Sequence, residues 1–316
     1  MVALLLLAAA LALTATLVAY EHDLREATAR AATGSMIAQT PCGPIEYTVV
    51  GDGQPVLFVH GAGGGFDQGL RIATSFAKGG FAVVLMSRFG YLRTPLPADA
   101  SAAAQADAHA CLLDALKIER AAVVGASAGA PSAMQFALRH RSRCSALVLL
   151  VPAAYVPRPD KAAAMKTPPG TPLLFETALR SDFLFWAMIE LAPRLLQRAI
   201  LAIPPQVVDA ASAEEKTRVA EMMRQILPVS RRRLGLLNDA AVISSLGRYE
   251  LERVAVPTLA ISVADDLFGT YDGARYSAEH IPHARFVGYP TGGHLWVGHH
   301  QEVMAEMAAF LKRAPR

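Results

Sequence analysis

The chain has few of the residues that mark disulfide-rich, metal-binding or nucleic-acid-binding proteins. Its 316 residues include three cysteines, an odd number without metal-site spacing, so we expect neither a disulfide framework nor a zinc site. A formal net charge of +3 is too small and too dispersed to indicate nucleic acid as a partner. The one dense basic run, Arg231–Arg233, indicates a solvated helix face or an ion pair with another part of the fold rather than a phosphate site.

Charged residues are also missing from the first twenty positions. Val2–Tyr20 would span about 28 Å as a helix, close to the ~30 Å hydrocarbon core of a bilayer. No Lys or Arg precedes this stretch, and it is longer than the apolar region of a usual signal peptide, so we favour an uncleaved anchor over an export signal. Arg25 and Arg30 follow it, which favours the cytoplasmic side for the domain. Residues 21–41 are predicted to be a stalk, so a chain beginning near Ala38 should be soluble and fully active.

What the chain does have is a serine at a sharp turn between a buried strand and a helix. Ala121–Val124 is a short apolar run, and Pro131–His140 consists mostly of good helix formers. Between them lies Gly125-Ala126-Ser127-Ala128-Gly129, whose glycines leave room for the neighbouring strand and helix. Such a turn exposes the serine hydroxyl, and the helix N-terminus supplies a positive field where an oxyanion would develop. Ser127 is therefore a candidate nucleophile.

Three further polar loops follow apolar runs in the same way. The first is the glycine-rich loop His60–Gly65, the second contains Asp265 and Asp266, and the third contains His294. Open parallel sheets bind ligands at the carboxyl ends of their strands, so we expect these loops to lie near Ser127. The apolar runs that precede them are Val56–Val59, Leu259–Val263 and Phe286–Tyr289.

Along the chain, a glycine-rich loop is followed by a serine turn, an aspartate and a histidine. With this order of motifs the sequence resembles the α/β-hydrolase superfamily, in particular its lidded serine hydrolases with a His-Gly-x oxyanion loop. The resemblance covers roughly residues 42–313 and implies an α/β fold, with a mostly parallel central sheet flanked by helices and an inserted helical lid. The core would comprise residues 42–152 and 252–316, with Ile45–Val50 as an edge strand.

The resemblance also implies a role for each polar loop. Ser127 would be the nucleophile, His294 the general base and acid, and Asp266 the carboxylate that orients the histidine. Asp265 is the alternative carboxylate, but Asp266 precedes His294 by 28 residues, which is close to the spacing in similar hydrolases. No cofactor and no metal are expected. The oxyanion hole would consist of the backbone N–H groups of Ala128 and of Ala62 or its neighbour Gly63.

The lid is assigned to residues 153–251, where the alternation of strands and helices stops. The stretch is too long for a loop of a compact core and contains helical segments between several prolines. Most of its apolar side chains should pack the lid on the core, and the remainder should enclose an apolar pocket without a charged cluster. Those apolar residues include Leu173, Leu174, Phe175, Phe183, Leu184, Phe185, Trp186, Met188 and Ile189.

A serine at position 127 favours hydrolysis of carboxylic esters with small-to-medium apolar acyl groups, through an acyl-enzyme. The alternative is hydrolysis of a carbon–carbon bond in vinylogous 1,5-diketones, which similar lidded proteins perform with the same three side chains. Their oxyanion loop usually reads Gly-Gly-Gly-Pro-Gly, whereas Gly61–Gly65 here reads Gly-Ala-Gly-Gly-Gly. A ligand-binding protein that keeps the fold without turnover is the third reading. The expected partners are an apolar ester and, through residues 2–20, a membrane.

Overall fold

The computed structural model describes residues 1–157 and 178–315, and its centre is one eight-stranded sheet. Its strands are β1 (Met36–Thr40), β2 (Gly43–Val50), β3 (Gln54–Val59), β4 (Phe81–Met86), β5 (Ala121–Ala126), β6 (Cys144–Leu150), β7 (Thr258–Val263) and β8 (Arg285–Tyr289). They lie in the order β1-β2-β4-β3-β5-β6-β7-β8. β1 and β2 pair antiparallel with each other, β2 pairs antiparallel with β4, and all later neighbours are parallel. The α/β class and the mostly parallel sheet are confirmed.

Helices cover both faces of this sheet. The helices of the described residues, including those of the insertion treated below, are in chain order α1 (Val2–Ala32), α2 (Leu70–Ala77), α3 (Ala102–Ala115), α4 (Ala130–Arg139), α5 (Asp182–Leu191), α6 (Pro193–Ala199), α7 (Pro205–Ala210), α8 (Ala213–Arg224), α9 (Arg233–Ser244), α10 (Thr270–His280) and α11 (His300–Arg313). Alternate residues of the central strands pack against α3, α4 and α10 on one face and against α2 and α11 on the other. Because both faces are buried, the central strands are continuous apolar runs rather than alternating ones.

The insertion between β6 and β7 is helical in the part that the structure describes. Helices α5 to α9 fall in residues 178–251, which we call the cap. The cap has its own apolar cluster, which includes Phe185, Ile189 and Met223 and also contacts Leu295 of the core. Residues 158–177, and with them Leu173, Leu174 and Phe175, lie outside the described residues.

The expectation of a stalk at residues 21–41 is wrong. Residues 21–32 continue the helix that begins at Val2, and Ala27 and Ala31 are buried. Residues 36–40 form β1, which pairs with β2 and is the true edge of the sheet. Residues 2–19 are exposed, and α1 is the one helix of the described chain that is long and apolar enough to cross a membrane. The C-terminal part of α1 therefore packs on the domain, and its exposed apolar part projects from it.

The structure also contains a disulfide that the sequence did not predict. Cys42, in the turn between β1 and β2, is bonded to Cys111 of α3, with the two Cα atoms 6.1 Å apart. Cys144 is free and buried at the start of β6, and burial raises the pKa of its thiol to about 12. Three cysteines without a motif do not reveal a pair separated by 69 residues, because only the packing of α3 behind β1 brings those two together.

Candidate active site

Ser127 lies at the end of β5, where the chain turns sharply into α4. Its φ of +49° falls in the left-handed region, which is uncommon for a residue with a side chain and directs the hydroxyl away from the sheet. The turn requires the glycines on either side of it. A Cβ on Gly125 would lie 2.6 Å from Cβ of Ala133, and one on Gly129 would overlap the carbonyl oxygen of Val59.

Three of the side chains predicted from the sequence form one chain of hydrogen bonds. The Ser127 Oγ lies 2.8 Å from Nε2 of His294, and the His294 Nδ1 lies 2.7 Å from Oδ2 of Asp266. Burial acts to raise the pKa of Asp266, but the charge and hydrogen bond of His294 and the hydrogen bonds from Thr270 and the Phe268 N–H outweigh it. The pKa of Asp266 therefore lies below its ordinary value, and this carboxylate stays ionised beside the imidazole.

Asp265 takes a different partner. Its Oδ1 accepts a hydrogen bond from the N–H of Gly293, at 2.7 Å, and so holds the loop that carries His294. The same loop is packed by Phe268, whose ring meets the imidazole edge to face with 4.9 Å between centroids. Of the two candidate carboxylates, only Asp266 is hydrogen-bonded to the His294 ring.

The residues predicted for the oxyanion hole lie on two different loops, Ala128 after β5 and Ala62 and Gly63 after β3. Ala128 is the second residue of the short 3₁₀ turn Ser127–Gly129, and the first N–H groups of a helix have no partner within it. No described residue accepts a hydrogen bond from the N–H of Ala62. The N–H of Gly63 already donates to the hydroxyl of Tyr91 at 3.3 Å. Between the two alternatives, the N–H of Ala62 is thus the free donor.

The glycine-rich loop is fixed by buried ion pairs with the cap. Arg232 donates to both carboxylate oxygens of Asp67, at 3.0 and 2.7 Å, and to the carbonyl oxygen of Gly64 at 2.6 Å. Both charged side chains of this pair are fully buried. Of the two readings left open for the Arg231–Arg233 run, the ion pair with another part of the fold therefore applies to Arg232.

In a second buried ion pair the core supplies the cation and the cap supplies the anion. Arg88, after β4, donates to both oxygens of Asp239 in α9, at 2.6 and 2.7 Å. The Tyr91 hydroxyl donates to the same carboxylate at 2.5 Å while it accepts from Gly63. Burial and the Asp239 charge raise the pKa of Tyr91 well above its ordinary value, so its proton stays in place.

Sequence reasoning missed Asp239 of the cap as a part of the site. Asp239 lies in an otherwise ordinary helical stretch, and nothing around it in the sequence indicates a buried carboxylate. Its only sequence signal is weak: Arg88 and Tyr91 follow a buried strand, as the other site loops do. His60 is neutral and structural, because burial and the charge of Arg88 hold its pKa well below the ordinary value.

A cavity of about 210 Å³ lies over the Ser127 hydroxyl, between the core and the cap. Its lining is mostly apolar and includes Phe185, Leu201 and Ile226. The expectation was a pocket without a charged cluster, and two arginines, Arg71 and Arg218, contribute to the lining. Each is paired, Arg71 with Glu221 at 2.5 Å and Arg218 with Glu215 at 2.8 Å.

One group of side chains within the described residues has the spacing of metal ligands. It comprises His22, Asp23 and Glu26 on α1, none of which lines the cavity over Ser127. Asp23 already accepts hydrogen bonds from the indole of Trp186 and from Arg224. Exposed groups of this kind are common without an ion, and we assign no metal to them.

Comparison with known families agrees with this architecture. A family model described as the alpha/beta hydrolase fold matches residues 54–297, which include every side chain of the hydrogen-bonded chain at Ser127. The chain therefore belongs to the α/β hydrolase fold family, and it is a hydrolase.

Individual relatives share between about a quarter and a third of their aligned residues with this chain. The chain is 27% identical over 271 residues to the uncharacterized hydrolase YcgS of Bacillus subtilis, covering 81% of this chain and 90% of YcgS. It is 32% identical over 113 residues to 2-hydroxy-6-oxo-6-phenylhexa-2,4-dienoate hydrolase of Comamonas testosteroni, which covers 34% of this chain and 40% of that one. The solved structure of an α/β hydrolase fold protein from Nakamurella multipartita matches with a TM-score of 0.71 and 28% identity, covering 88% of this chain and 99% of that one.

Proposed function

We propose that the protein hydrolyses carboxylic esters with small-to-medium apolar acyl groups through a covalent serine ester. The observation that carries this proposal is the hydrogen-bonded chain Ser127–His294–Asp266 beneath an apolar cavity. In the first half-reaction, Ser127 Oγ attacks the ester carbonyl carbon as its proton passes to His294 Nε2. His294 then protonates the leaving alcohol, and Asp266 stabilises the imidazolium without taking its proton.

The second half-reaction uses the same groups in reverse. Water attacks the acyl-enzyme as His294 takes its proton, and the carboxylic acid leaves when Ser127 recovers a proton. The N–H groups of Ala62 and Ala128 stabilise the oxyanion in both halves. Loss of one such donor typically costs about 3 kcal/mol of transition-state stabilisation. Gly63 is left out of this pair because its N–H is committed to Tyr91.

The size and charge of the cavity support the proposed acyl group. A volume of about 210 Å³ is below the usual range of ~300–1,000 Å³ for pockets that bury drug-sized ligands. Each arginine in the lining is already neutralised by a glutamate, so a charged acyl group would find no free counter-ion there. Burial and the Arg218 charge also lower the pKa of His300, another lining residue, which keeps it neutral.

The second candidate is hydrolysis of a carbon–carbon bond in a ring-cleavage diketone. The dienoate hydrolase of Comamonas testosteroni, similar over 113 residues, favours it. Its substrate, by name, carries a carboxylate, and the paired state of Arg71 and Arg218 weighs against such a substrate here. The two candidates use the same nucleophile, so the substrate decides between them.

The test compares p-nitrophenyl esters from acetate to palmitate with one vinylogous 1,5-diketone, using kcat/KM. Each buried CH₂ contributes up to ~0.8 kcal/mol, so we expect a rise over the first few carbons and a fall once the chain outgrows the cavity. Labelling by a serine-directed phosphonate, absent in the Ser127→Ala variant, identifies the nucleophile independently. A flat ester profile together with rapid diketone cleavage would transfer the assignment to the second candidate.

We also propose that residues 2–20 are an uncleaved membrane anchor and that the domain faces an oxidising compartment. The small-residue site for a signal peptidase is Ala27-Thr28-Ala29. Cleavage after Ala29 would remove Ala27, which is buried against the cap, so the packing of α1 supports retention. The Cys42–Cys111 disulfide supports the oxidising side, because such bonds rarely persist in the cytosol. We give this disulfide more weight than Arg25 and Arg30, which favour the cytoplasmic side.

Protease added to intact and to permeabilised spheroplasts tests this orientation. We expect the domain to be digested in intact spheroplasts, and the membrane fraction to hold a chain of full length that resists a salt wash. Protection until the inner membrane is permeabilised would place the domain in the cytoplasm. A shortened chain in the soluble fraction would show that the first residues are a signal peptide.

A further inference from the structure

Helix α5 exposes large apolar side chains on its outward side. It is buried on one side, where Phe185 and Ile189 enter the apolar cluster of the cap. Its exposed apolar side chains are Phe183, Leu184 and Leu191, which we call the α5 face. Leu184 is 42% exposed and Leu191 is 85% exposed. A surface helix normally places polar residues there, so this face is suited to an apolar neighbour.

The two acidic residues of α5 do not make the α5 face polar. Asp182 accepts hydrogen bonds from the N–H and the hydroxyl of Ser230, at 2.9 and 2.6 Å. Glu190 pairs with Arg224 at 2.5 Å. Both carboxylates are therefore paired with other parts of the cap and hold the helix to it.

The α5 face lies beside the point where α1 becomes apolar. Tyr20, the last uncharged residue of α1 before Glu21, meets the rings of Phe183 and Trp186 edge to face, with centroids 5.1 and 5.5 Å apart. One helical turn later, Asp23 accepts from the Trp186 indole at 2.8 Å. These contacts fix α5 at the level of Tyr20.

The exposed part of α1 has the features of a lipid-embedded helix. Its two hydroxyls are satisfied within the helix, since Thr14 donates to the carbonyl of Ala10 and Thr16 to that of Ala12. Tyrosine and tryptophan are enriched at the ends of such spans, where an apolar ring and a polar tip meet the headgroups. Tyr20 and Trp186 form an aromatic pair of this kind, one from each helix.

We propose that the α5 face lies against the lipid bilayer that α1 enters. Phe183 of this face contacts Tyr20, where the apolar part of α1 begins, and this contact places α5 at the headgroup boundary whenever residues 2–19 span. The proposal rests on the anchor proposed above. On its inner side the same helix lines the cavity with Phe185, so α5 separates the bilayer from the reaction site. Apolar esters dissolved in the membrane are then the substrate class that reaches Ser127 by the shortest route.

The first experiment reads contact with lipid and requires no catalysis. No native thiol interferes, because Cys144 is buried and the other two cysteines are bonded. The full chain with Leu191→Cys carries an environment-sensitive fluorophore in phosphatidylcholine vesicles that contain nitroxide-labelled acyl chains. We expect quenching several times that of Leu96→Cys, a control on a core loop whose leucine is 38% exposed.

Two results would overturn the proposal. Equal quenching at positions 191 and 96 would mean that the α5 face does not meet lipid. A blue-shifted signal at position 191 that disappears on dilution to one chain per vesicle would assign the face to a second copy of the chain instead.

The second experiment tests the route of the substrate and rests on ester hydrolysis. The double variant Leu184→Gln, Leu191→Gln should keep kcat/KM for water-soluble p-nitrophenyl acetate within about twofold. For an ester partitioned into vesicles we expect about a tenfold loss, with Leu96→Gln unchanged on both substrates. Equal losses on both esters, or none on either, would overturn entry from the bilayer, whereas the quenching result stands even if no ester is hydrolysed.

Discussion

The serine turn and the glycine-rich loop line the same cavity, but they are held in place by different means. Ser127 is positioned within its own stretch of chain, by β5, α4 and the two glycines beside it. The glycine-rich loop is positioned by residues far away in sequence. Arg232 is 168 positions from Gly64, and Asp239 is 151 positions from Arg88.

The difference teaches which parts of the site act alone and which depend on the cap. The backbone of the serine turn tolerates loss of its hydroxyl, because no packing depends on that group. The glycine-rich loop depends on buried charges, and removal of one partner from a buried pair leaves the other uncompensated. Substitutions on the serine side should therefore abolish chemistry without unfolding, and substitutions on the loop side should do both in part.

Ser127→Ala should separate loss of activity from loss of stability most clearly. Because only an oxygen atom is removed, we expect the unfolding transition to keep its midpoint while turnover of the best ester falls to the background rate. Paired measurements of ester hydrolysis and urea denaturation check this. Activity within tenfold of the parent would contradict a serine mechanism.

The next largest effect is expected at the carboxylate that contacts His294. Asp266→Asn should reduce kcat by roughly 10⁴, because the amide stabilises the wrong tautomer of the imidazole. Asp265→Asn is the matched control; it only weakens one hydrogen bond to Gly293 and should lose far less. The opposite ranking in steady-state kinetics would reassign the acid to Asp265.

On the loop side, Asp67→Asn should act chiefly on stability. It leaves the buried Arg232 without a counter-charge, for which we expect a loss of about 3–5 kcal/mol in the free energy of unfolding. Asp107→Asn is the control, because the pair of Asp107 with Arg139 is exposed and should contribute at most ~1 kcal/mol. Equal midpoints for the two variants in urea would show that the cap pairs do not stabilise the fold.

Acid should weaken the serine side through His109, which lies behind α4 and contacts Ser132 at 3.1 Å. Burial lowers the pKa of His109 to about 3, below the ~6.5 expected in the unfolded chain. The unfolded state therefore gains protons first, and stability falls as the pH drops below ~6.5, by up to ~1.4 kcal/mol per pH unit. His109→Gln should flatten the pH dependence of the unfolding free energy; an unchanged slope would assign the acid sensitivity to other groups.

The smallest effect is expected where α1 reaches the loop. Arg30 donates to the carbonyls of Leu227 and Arg224, at 3.0 and 3.2 Å, and lies 3.8 Å from Asp67. Arg30→Met should cost about 1 kcal/mol of stability and a few-fold in kcat, since these are partly exposed hydrogen bonds. Arg25→Met on the same helix, 80% exposed, should change neither. Equal behaviour of the two variants would mean that α1 has no influence on the site.

The sequence predicted the parts of the fold that are encoded locally. Strand ends, glycines and the serine turn carry their signal within a few residues, which is why Ser127 and His294 could be singled out and why the sheet was expected. The stalk at residues 21–41 could not be recognised as wrong, because its burial depends on Trp186 and Leu227 of a distant cap. For the same reason the soluble, fully active chain from Ala38 is no longer expected: that deletion removes Arg30 and part of β1.

The two cap-to-core ion pairs have a consequence for protein engineering. The cap contributes a cation at Arg232 and an anion at Asp239, and the core contributes the complementary Asp67 and Arg88. A chimera that grafts a relative's cap onto this core would have to present both charges in the same positions. A cap without these charges would leave Asp67 and Arg88 buried without a partner, so a cap can be exchanged only together with the core residues that it pairs with.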